Sequence, residues 1–366
     1  MRLSHFAALR PVCPRCAAAD GRQEALSEPK IFAEDRDHVL MGLLQCPSCG
    51  QEYPIIDGLP LLVPSVQSYV SQSLPVLMGR DDLPEALESL LGDAAGPGST
   101  LDGVRQHLSS YGWDHWAEHD PLEARWPEAQ PGAVSRCLAA GLAVLPRPAE
   151  GPALDLGCGP GRSSADLAEA TGGLVLGVDL SFPLLRLAAR ALRDGRVRYP
   201  RRRIGMVYDM RDFAVPLAAA ERLDFWVCDA LALPFRDETF GLASGLNLLD
   251  CLSSPMTGLA AVGRVLRRGG QAIFASPYDW SPAVTPAEHW LGGHSQRADH
   301  HGAAEPLMRR ALSADNPASG GLRLSAERHD VPWQVRVHDR AIMRYKSHLV
   351  IAEKSGKNDL GAGRAG

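Results

Sequence analysis

The 366-residue sequence lacks any uninterrupted apolar run of the length that a membrane-spanning helix requires. Its first residues, MRLSHFAALRP, lack a long apolar stretch as well, and the sequence therefore predicts a soluble, cytoplasmic protein without a membrane partner. A basic excess is also absent: the formal net charge is −5, which gives no overall field to attract nucleic acid. With 45% hydrophobic residues the chain can form a large core, and its length predicts one large domain with attachments.

A glycine-rich turn, LDLGCGPG at 154–161, lies between an apolar run and the helical sequence RSSADLAEA. This order predicts a strand, a tight loop and a helix whose free N–H groups face negative charge on a ligand. Asp179 ends a second apolar strand, at the spacing where an acidic residue binds ribose hydroxyls in doubly wound folds. The dinucleotide fingerprint GxGxxG lacks its last glycine here, because Arg162 stands in that place. The sequence therefore predicts a nucleotide-like cofactor other than NAD.

The loop and its acidic partner resemble motif I of the class I S-adenosylmethionine-dependent methyltransferases, and the resemblance covers most of residues 150–353. It implies an α/β fold with a seven-stranded, doubly wound, Rossmann-like sheet. In the sequence DALALPF, it places Asp229 and Ala230 beside the adenine ring. The residues that we expect to bind S-adenosylmethionine are Asp155, Gly157, Cys158, Gly159, Gly161, Asp179, Leu180, Asp229, Ala230 and Asn247.

Two CxxC pairs precede this domain, CPRC with Cys13 and Cys16, and CPSC with Cys46 and Cys49. Two such turns can present four thiolates in a tetrahedron around zinc, and redox disulfides are the alternative. The following YPIIDGLPLLV predicts a hairpin that turns at Asp57-Gly58. Residues 11–64 resemble the small zinc-ribbon modules that partner or activate methyltransferases. We expect the zinc to be structural, because four cysteines leave no open coordination position.

The predicted organisation is a β-rich zinc ribbon at 1–64, a linker with one short helix at 65–103, a methyltransferase domain at 104–353 and a disordered tail at 354–366. A helix over 104–118 carries Tyr111, Trp113 and Trp116, which either pack or form a lid over the methionine end of the cofactor. The other four cysteines, which we expect to be small buried hydrophobic residues, are Cys137, Cys158, Cys228 and Cys251.

The fourth predicted strand lies at 242–246. It is not followed by the NPPY-type sequence of many exocyclic-amine methyltransferases, and this disfavours methylation of nucleic-acid bases. The fifth strand instead leads into the aromatic loop SPYDWSPAVTPAEHWLGG at 276–293, where we expect the substrate pocket. Together with GRSSADLA, LNLLDCLSSP and VPWQVRVHDRAIMRYKSHLV, this loop resembles the methyltransferase domain of ovothiol-biosynthesis enzymes, which methylates an imidazole nitrogen. The resemblance implies a small polar metabolite as substrate. The expected pocket residues are Tyr278, Trp280, Glu288 and Trp290.

Methyl transfer depends mainly on positioning, and a base is needed only when the attacking group begins protonated. The available bases are Asp250, Asp279, His289 and His294, and we predict Asp250, Tyr278 and His289 as the catalytic residues. Six arginines between 193 and 203 either bind an anion or form a solvated surface loop. The alternative function is therefore an RNA- or protein-directed methyltransferase that uses the ribbon and these arginines for recruitment.

Overall fold

The computed structural model describes residues 1–123, 129–146 and 150–356 of the chain. The tail predicted to be disordered lies outside this part from residue 357 onward. The described strands are β1 (Lys30–Asp35), β2 (His38–Gln45), β3 (Glu52–Ile56), β4 (Leu59–Leu62), β5 (Ala153–Leu156), β6 (Val175–Asp179), β7 (Arg196–Ile204), β8 (Val207–Ala214), β9 (Leu223–Cys228), β10 (Phe240–Leu246), β11 (Leu266–Ser276), β12 (Leu322–His338) and β13 (Ala341–Lys354). The described α-helices are α1 (Leu3–Leu9), α2 (Pro14–Asp20), α3 (Val66–Leu77), α4 (Glu85–Ala95), α5 (Thr100–Trp116), α6 (Ala133–Leu142), α7 (Arg162–Thr171), α8 (Phe182–Asp194), α9 (Pro255–Val265) and α10 (Ala304–Ala311).

Eleven strands form one sheet, in the order β1-β2-β3-β4-β9-β6-β5-β10-β11-β13-β12. The prediction of a seven-stranded sheet was wrong, because the four N-terminal strands continue the same sheet. Strand β4 pairs in parallel with β9, with Leu61 opposite Val227 and Leu62 opposite Cys228. This pairing satisfies backbone groups that the edge of β9 would otherwise leave open. The seven strands from β9 to β12 remain consecutive neighbours and form the α/β part that the resemblance implied.

The turn between β3 and β4 has the chemistry that the sequence predicted. Asp57 and Gly58 have φ values of 53° and 85°, the left-handed conformations of a two-residue hairpin turn. The Gly58 amide also donates to the carbonyl of Leu40 at 2.9 Å, which ties the turn to strand β2. This hydrogen bond thus holds the β3–β4 turn against β2, and β4 then continues into the larger sheet.

The segment at 65–103 contains two helices, α3 and α4, where the sequence predicted one short helix. Helix α3 begins at Ser65, whose hydroxyl accepts the Ser68 amide at 3.2 Å. Val66, Tyr69 and Val70 pack against the buried core. These tertiary contacts stabilise a helix that was not predicted from its sequence. Among the described residues, no helix combines the length and apolar character needed to cross a bilayer.

The arginine-rich insertion forms the antiparallel hairpin β7–β8, a small sheet of its own and not a loop. Tyr199 is fully buried and its ring meets Phe213 edge-on at 6.3 Å between centroids, so the hairpin has an apolar face on the core. The last two strands, β12 and β13, form the antiparallel hairpin that the sequence predicted at the edge of the sheet. Residues 331–346 of this hairpin extend beyond the strand β11, which pairs with β13 only from His348 onward.

Candidate functional site

A cleft of about 550 Å³ opens at the carboxyl ends of β5, β6, β9 and β10. The parallel strands β9, β6, β5 and β10 are direct neighbours, so the loops that follow them meet at one edge. Of the residues predicted to bind cofactor, eight line this cleft: Asp155, Gly157, Gly159, Asp179, Leu180, Asp229, Ala230 and Asn247.

The carboxylate of Asp155 is buried beneath the glycine-rich loop. It accepts hydrogen bonds from the hydroxyls of Ser163 and Ser164 at 2.6 and 2.7 Å, and from that of Ser244 at 2.7 Å. Burial raises the pKa of Asp155, while these three hydroxyls favour its charged form. Asp155 therefore fixes the loop to helix α7 and to β10, and its hydrogen-bonding capacity is largely used within the protein.

Asp179 lies at the end of β6 and faces the cleft. Its two oxygens accept the backbone amides of Gly159 at 2.9 Å and Ser181 at 2.8 Å. Burial raises its pKa, and these amides oppose that shift. The carboxylate is thus held in a set orientation beside the loop.

Cys158 and Gly161, also predicted to bind cofactor, lie away from the cleft. Cys158 is fully buried and its amide donates to the carbonyl of Val178 at 3.1 Å. Gly161 has a φ of 89°, and a Cβ there would lie 2.6 Å from the Phe225 ring. Gly161 therefore permits close packing of helix α7 on the sheet, and its contact with the cofactor stays a prediction.

Asp229 and Ala230, which the resemblance placed beside the adenine ring, line the cleft. One carboxylate oxygen of Asp229 accepts the Leu231 amide at 2.9 Å, which leaves its second oxygen available to a ligand. Asn247 has a φ of 49°, and its side-chain oxygen accepts the Ser347 hydroxyl at 2.9 Å. This contact connects the end of β10 with the β12–β13 hairpin.

The roof of the cleft comes from helix α5 and from the β12–β13 hairpin. Tyr111 lines the cleft, whereas Trp113 and Trp116 are buried. Helix α5 therefore packs on the core with its two tryptophans and covers the cleft with Tyr111. Trp116 donates from its ring nitrogen to the carbonyl of Pro160 at 2.9 Å, which holds α5 against the glycine-rich loop. His115 is buried beside the loop, and burial lowers its pKa to about 3, so its imidazole is neutral at physiological pH.

Several cleft residues on β12 and β13 were missed from the sequence. They are Trp333, Val335, Val337, Met343 and Tyr345. The alternation of Trp333, Val335 and Val337 along β12 is the signal that would have placed them on one face. This hairpin therefore contributes more residues to the cleft wall than the aromatic loop at 276–293, from which Pro277 and Asp279 line it.

The three predicted catalytic residues do not lie together. Asp250 is buried and lines the cleft, where it accepts the Asp279 amide at 3.0 Å and the Ser276 hydroxyl at 3.2 Å. Burial raises its pKa. Tyr278 donates its hydroxyl to Nδ1 of His348 or accepts from it, at 2.7 Å.

Apart from Asp279, the other predicted pocket residues and bases, in and just after the aromatic loop, do not line the cleft. His289 is exposed and its Nδ1 lies 2.7 Å from the carbonyl of Ser253. The rings of Trp280 and Trp290 stack on each other at 6.1 Å, and Glu288 and His294 are exposed. Among the predicted bases, Asp250 and Asp279 are the two that line the cleft. Cys251 lines it as well and is exposed, so the expectation that all four scattered cysteines are buried was wrong for this residue.

The four N-terminal cysteines converge, and their sulfur atoms all lie within 4.8 Å of one another. The Sγ atoms of Cys13 and Cys49 are 3.7 Å apart, and those of Cys16 and Cys46 are 3.9 Å apart. A zinc ion with Zn–S bonds of about 2.3 Å separates its sulfur ligands by roughly 3.8 Å in a tetrahedron. The donor set and its spacing therefore fit a closed zinc site.

The arginines of the β7–β8 hairpin pair mainly with groups of this chain. Arg201 is buried and contacts Glu123 at 2.7 Å and Asp339 at 2.8 Å. Arg196 pairs with Asp212 at 2.8 Å. Carboxylates of the same chain therefore neutralise these arginines. Of the two alternatives given for them, an anion-binding site and a solvated surface loop, neither describes the hairpin fully.

The comparisons with known proteins identify the central part of the chain. Residues 154–274 match the family described as a methyltransferase domain. A demethylmenaquinone methyltransferase of Roseiflexus castenholzii is 31% identical over 191 residues, which are 50% of this chain and 64% of that protein. An O-methyltransferase of Penicillium expansum is 30% identical over 122 residues, which are 33% of this chain and 36% of that protein. The chain thus spans less than two thirds of the length of either relative.

Solved structures of low sequence identity are also similar. The YcgJ protein of Bacillus subtilis matches with a TM-score of 0.39 at 16% identity, over 61% of this chain and 99% of that one. A SAM-dependent methyltransferase of Methanosarcina mazei matches with a TM-score of 0.36 at 20% identity, over 56% of this chain and 92% of that one. The family match at residues 154–274 covers less than half of the chain, and it agrees with the methyltransferase motif that the sequence of the glycine-rich loop predicted.

Proposed function

We propose that this chain is an S-adenosylmethionine-dependent methyltransferase that acts on a nitrogen of a small polar acceptor, such as an imidazole or an amino-acid-like amine. The observation that carries the proposal is one cleft lined by Asp179 and Asp229, at the ends of the neighbouring strands β6 and β9, and by Asp250, in the turn that follows β10. Asp179 would hold the ribose and Asp229 the adenine amine, which leaves Asp250 at the acceptor end.

The chemistry asks little of the protein beyond orientation. S-adenosylmethionine supplies a methyl group on a sulfonium, which departs as a neutral thioether when the acceptor nitrogen attacks. Helix α5 and the β12–β13 hairpin cover the cleft and would orient the acceptor and limit water. An acceptor nitrogen that starts with a proton must lose it, and the Asp250 carboxylate is a base in the cleft that can take that proton.

The substrate end combines aromatic rings with negative charge. Tyr111, Trp333 and Tyr345 line it together with the carboxylates of Asp250 and Asp279. Rings attract cations through their faces, and carboxylates pair with protonated nitrogen. This composition supports a basic nitrogen acceptor over an anionic one, in agreement with the resemblance to imidazole-methylating domains.

The alternative, an RNA- or protein-directed methyltransferase, depends on the arginines of β7 and β8. Arg198 contacts Glu88 at 3.1 Å, and Arg203 lies 3.8 Å from Asp209, so these arginines have carboxylate partners within the chain. Paired arginines release fewer counterions from a polyanion than free ones. The pairing favours the small acceptor.

We also propose that Cys13, Cys16, Cys46 and Cys49 hold one structural zinc ion. Four thiolates fill the coordination sphere, so the ion would stabilise the N-terminal strands and would not activate a water molecule. Because β4 pairs with β9 in the same sheet, stabilisation of these strands extends to the methyltransferase domain.

The acceptor can be identified by incubating the protein with methyl-labelled S-adenosylmethionine and separate fractions of a cell extract: polar metabolites, lipid-soluble quinones, RNA and protein. We expect label in the polar fraction, on a nitrogen identified by mass spectrometry, and much less label with the Asp179→Ala variant when S-adenosylmethionine is kept below the dissociation constant of that variant. The relatives act by their names on demethylmenaquinone and on oxygen, so label in the quinone fraction or on oxygen would contradict the nitrogen acceptor. Label in RNA or protein alone would favour the alternative.

A further inference from the structure

A second cavity, of about 440 Å³, lies between helices α3, α4, α5 and α8 and the β7–β8 hairpin. It is distinct from the cofactor cleft, which uses other faces of α5 and α8. Apolar side chains form much of its wall, among them Val76, Leu91, Leu101, Val104, Leu108 and Leu187. A cavity of this size and composition is within the range that binds small amphipathic molecules.

Positive charge predominates on the wall of this cavity, with six arginines against four carboxylates. Five of these arginines have carboxylate partners in the chain: Arg80 with Asp82, Arg186 with Asp57, Arg190 with Asp81, Arg196 with Asp212, and Arg198 with Glu88. The sixth is Arg105, whose Nε is buried without a hydrogen-bond partner among the described residues. No salt bridge joins Arg105 to a carboxylate among the described residues, and an anion in the cavity would supply that partner through the outer nitrogens of the guanidinium.

Arg105 is held in place by its neighbours. Its guanidinium lies 4.0 Å from the centre of the Tyr208 ring. On its other side it passes over Gly92 of helix α4, where any Cβ would overlap the guanidinium. The missing side chain at Gly92 thus leaves room for a charged group at this position, and the Tyr208 ring orients it. Less side-chain entropy is then lost when Arg105 binds a ligand.

We propose that this cavity binds a medium-chain carboxylic acid, with the carboxylate on Arg105 and the chain against the apolar wall. The planar fork of a guanidinium matches a carboxylate, and Arg105 is the arginine of this wall for which no salt bridge is found among the described residues. Leu101, Val104 and Leu108 on α5 continue the apolar wall beyond Arg105, which gives the chain of such an acid a surface to cover. The site does not depend on the proposed methyl transfer, because it uses none of the cleft residues.

Calorimetry with sodium decanoate as the probe tests this site on the full chain. We expect one decanoate to bind per chain, with or without saturating S-adenosylhomocysteine, and decan-1-ol and decylamine to bind at least tenfold more weakly. Arg105→Gln should weaken decanoate at least tenfold. Leu101→Trp should also weaken it, because Leu101 is 40% exposed at the wall and a larger side chain there can fill the cavity without disturbing the core.

Both variants must keep the helical circular dichroism and the thermal transition of the wild type, which separates loss of the site from loss of the fold. No decanoate binding to the wild type would overturn the proposal. So would equal affinity for decan-1-ol, unchanged affinity in Arg105→Gln, or displacement of decanoate by S-adenosylhomocysteine. If S-adenosylhomocysteine itself does not bind, the proposed function fails, whereas the decanoate titration without it still decides this site.

Discussion

The carboxylate of Asp179 accepts the backbone amide of Gly159 at 2.9 Å, which joins the end of β6 to the glycine-rich loop after β5. The amide of Ser181 holds the second oxygen at 2.8 Å. Two neighbouring strand ends are thereby locked to each other in the free protein. In the proposed function this carboxylate would be preorganised for the ribose hydroxyls of the cofactor, because the two amides already set its orientation.

Replacing this carboxylate tests the cofactor assignment. We expect Asp179→Ala to weaken S-adenosylmethionine about 10- to 100-fold, since hydrogen bonds to a charged group contribute about 1.5–3 kcal/mol. Isothermal titration calorimetry measures the affinity directly. Asp212→Ala on the β7–β8 hairpin is the control and should bind the cofactor as the wild type does. Unchanged binding in Asp179→Ala would remove Asp179 from the cofactor site.

Asp250 is the residue whose substitution should separate catalysis from binding. We expect Asp250→Asn to lower kcat by about 100-fold, in the range of general-base catalysis, and to leave cofactor affinity within a factor of three. Asp279→Asn, which alters the neighbouring exposed carboxylate, should change kcat less. Equal losses in the two variants would indicate a shared electrostatic role and contradict a specific base at Asp250.

The pH dependence of kcat follows from the same residue. Burial raises the pKa of Asp250 above its usual value near 3.9, and a base acts only in its deprotonated form. The rate should therefore fall as the pH drops through this raised pKa and reach a plateau above it. The acidic limb should disappear in Asp250→Asn, which can be read from single-turnover rates across the pH range. If the acidic limb of the pH profile persists in Asp250→Asn, the titrating group belongs to the acceptor and not to Asp250.

The local parts of this fold could be predicted from the sequence, and the long-range parts could not. The strand predicted before the glycine-rich loop is found at Ala153–Leu156, because the apolar run and the glycines that end it lie within a few residues of each other. The pairing of Leu62 with Cys228 joins segments far apart in the chain, and no local pattern encodes it. The sequence also did not predict the conformation of Tyr278. This residue has a φ of 56° just after the strand, and its side chain packs on His348.

Removal of one ligand tests the metal site. We expect native mass spectrometry to find one zinc per chain in the wild type and none in Cys16→Ser. The variant should also lower the melting temperature by at least about 5 °C, because zinc binding contributes to folding. Cys251→Ser, outside the cluster, should keep the zinc. Full zinc content and an unchanged melting temperature in Cys16→Ser would leave the cluster without a metal role.

Helix α7 is bounded by two glycines that provide a matched pair of variants. Both have positive φ, 89° at Gly161 and 66° at Gly172, so alanine is strained at either end. A Cβ at Gly161 would also meet the Phe225 ring at 2.6 Å, whereas at Gly172 its nearest neighbour is 3.7 Å away on Arg222. Urea unfolding should show a loss of about 1 kcal/mol for Gly172→Ala and about 3 kcal/mol or more for Gly161→Ala. Equal losses in the free energy of unfolding would mean that α7 and the Phe225 ring move apart to accommodate the new Cβ at Gly161.

The arginines of the hairpin should prove structural, and Arg201 tests this most directly. Its guanidinium and the Glu123 carboxylate are both largely buried and lie 2.7 Å apart. Arg201→Gln would leave Glu123 as a buried charge with a weakened partner, so we expect a loss of about 3 kcal/mol in the free energy of unfolding. Arg203→Gln on the same strand removes an exposed charge 3.8 Å from Asp209 and should change stability by less than about 0.5 kcal/mol. If instead Arg203→Gln or Arg196→Gln weakened binding of a short RNA without changing stability, these side chains would serve a polyanion, and the RNA-directed alternative would gain its first support.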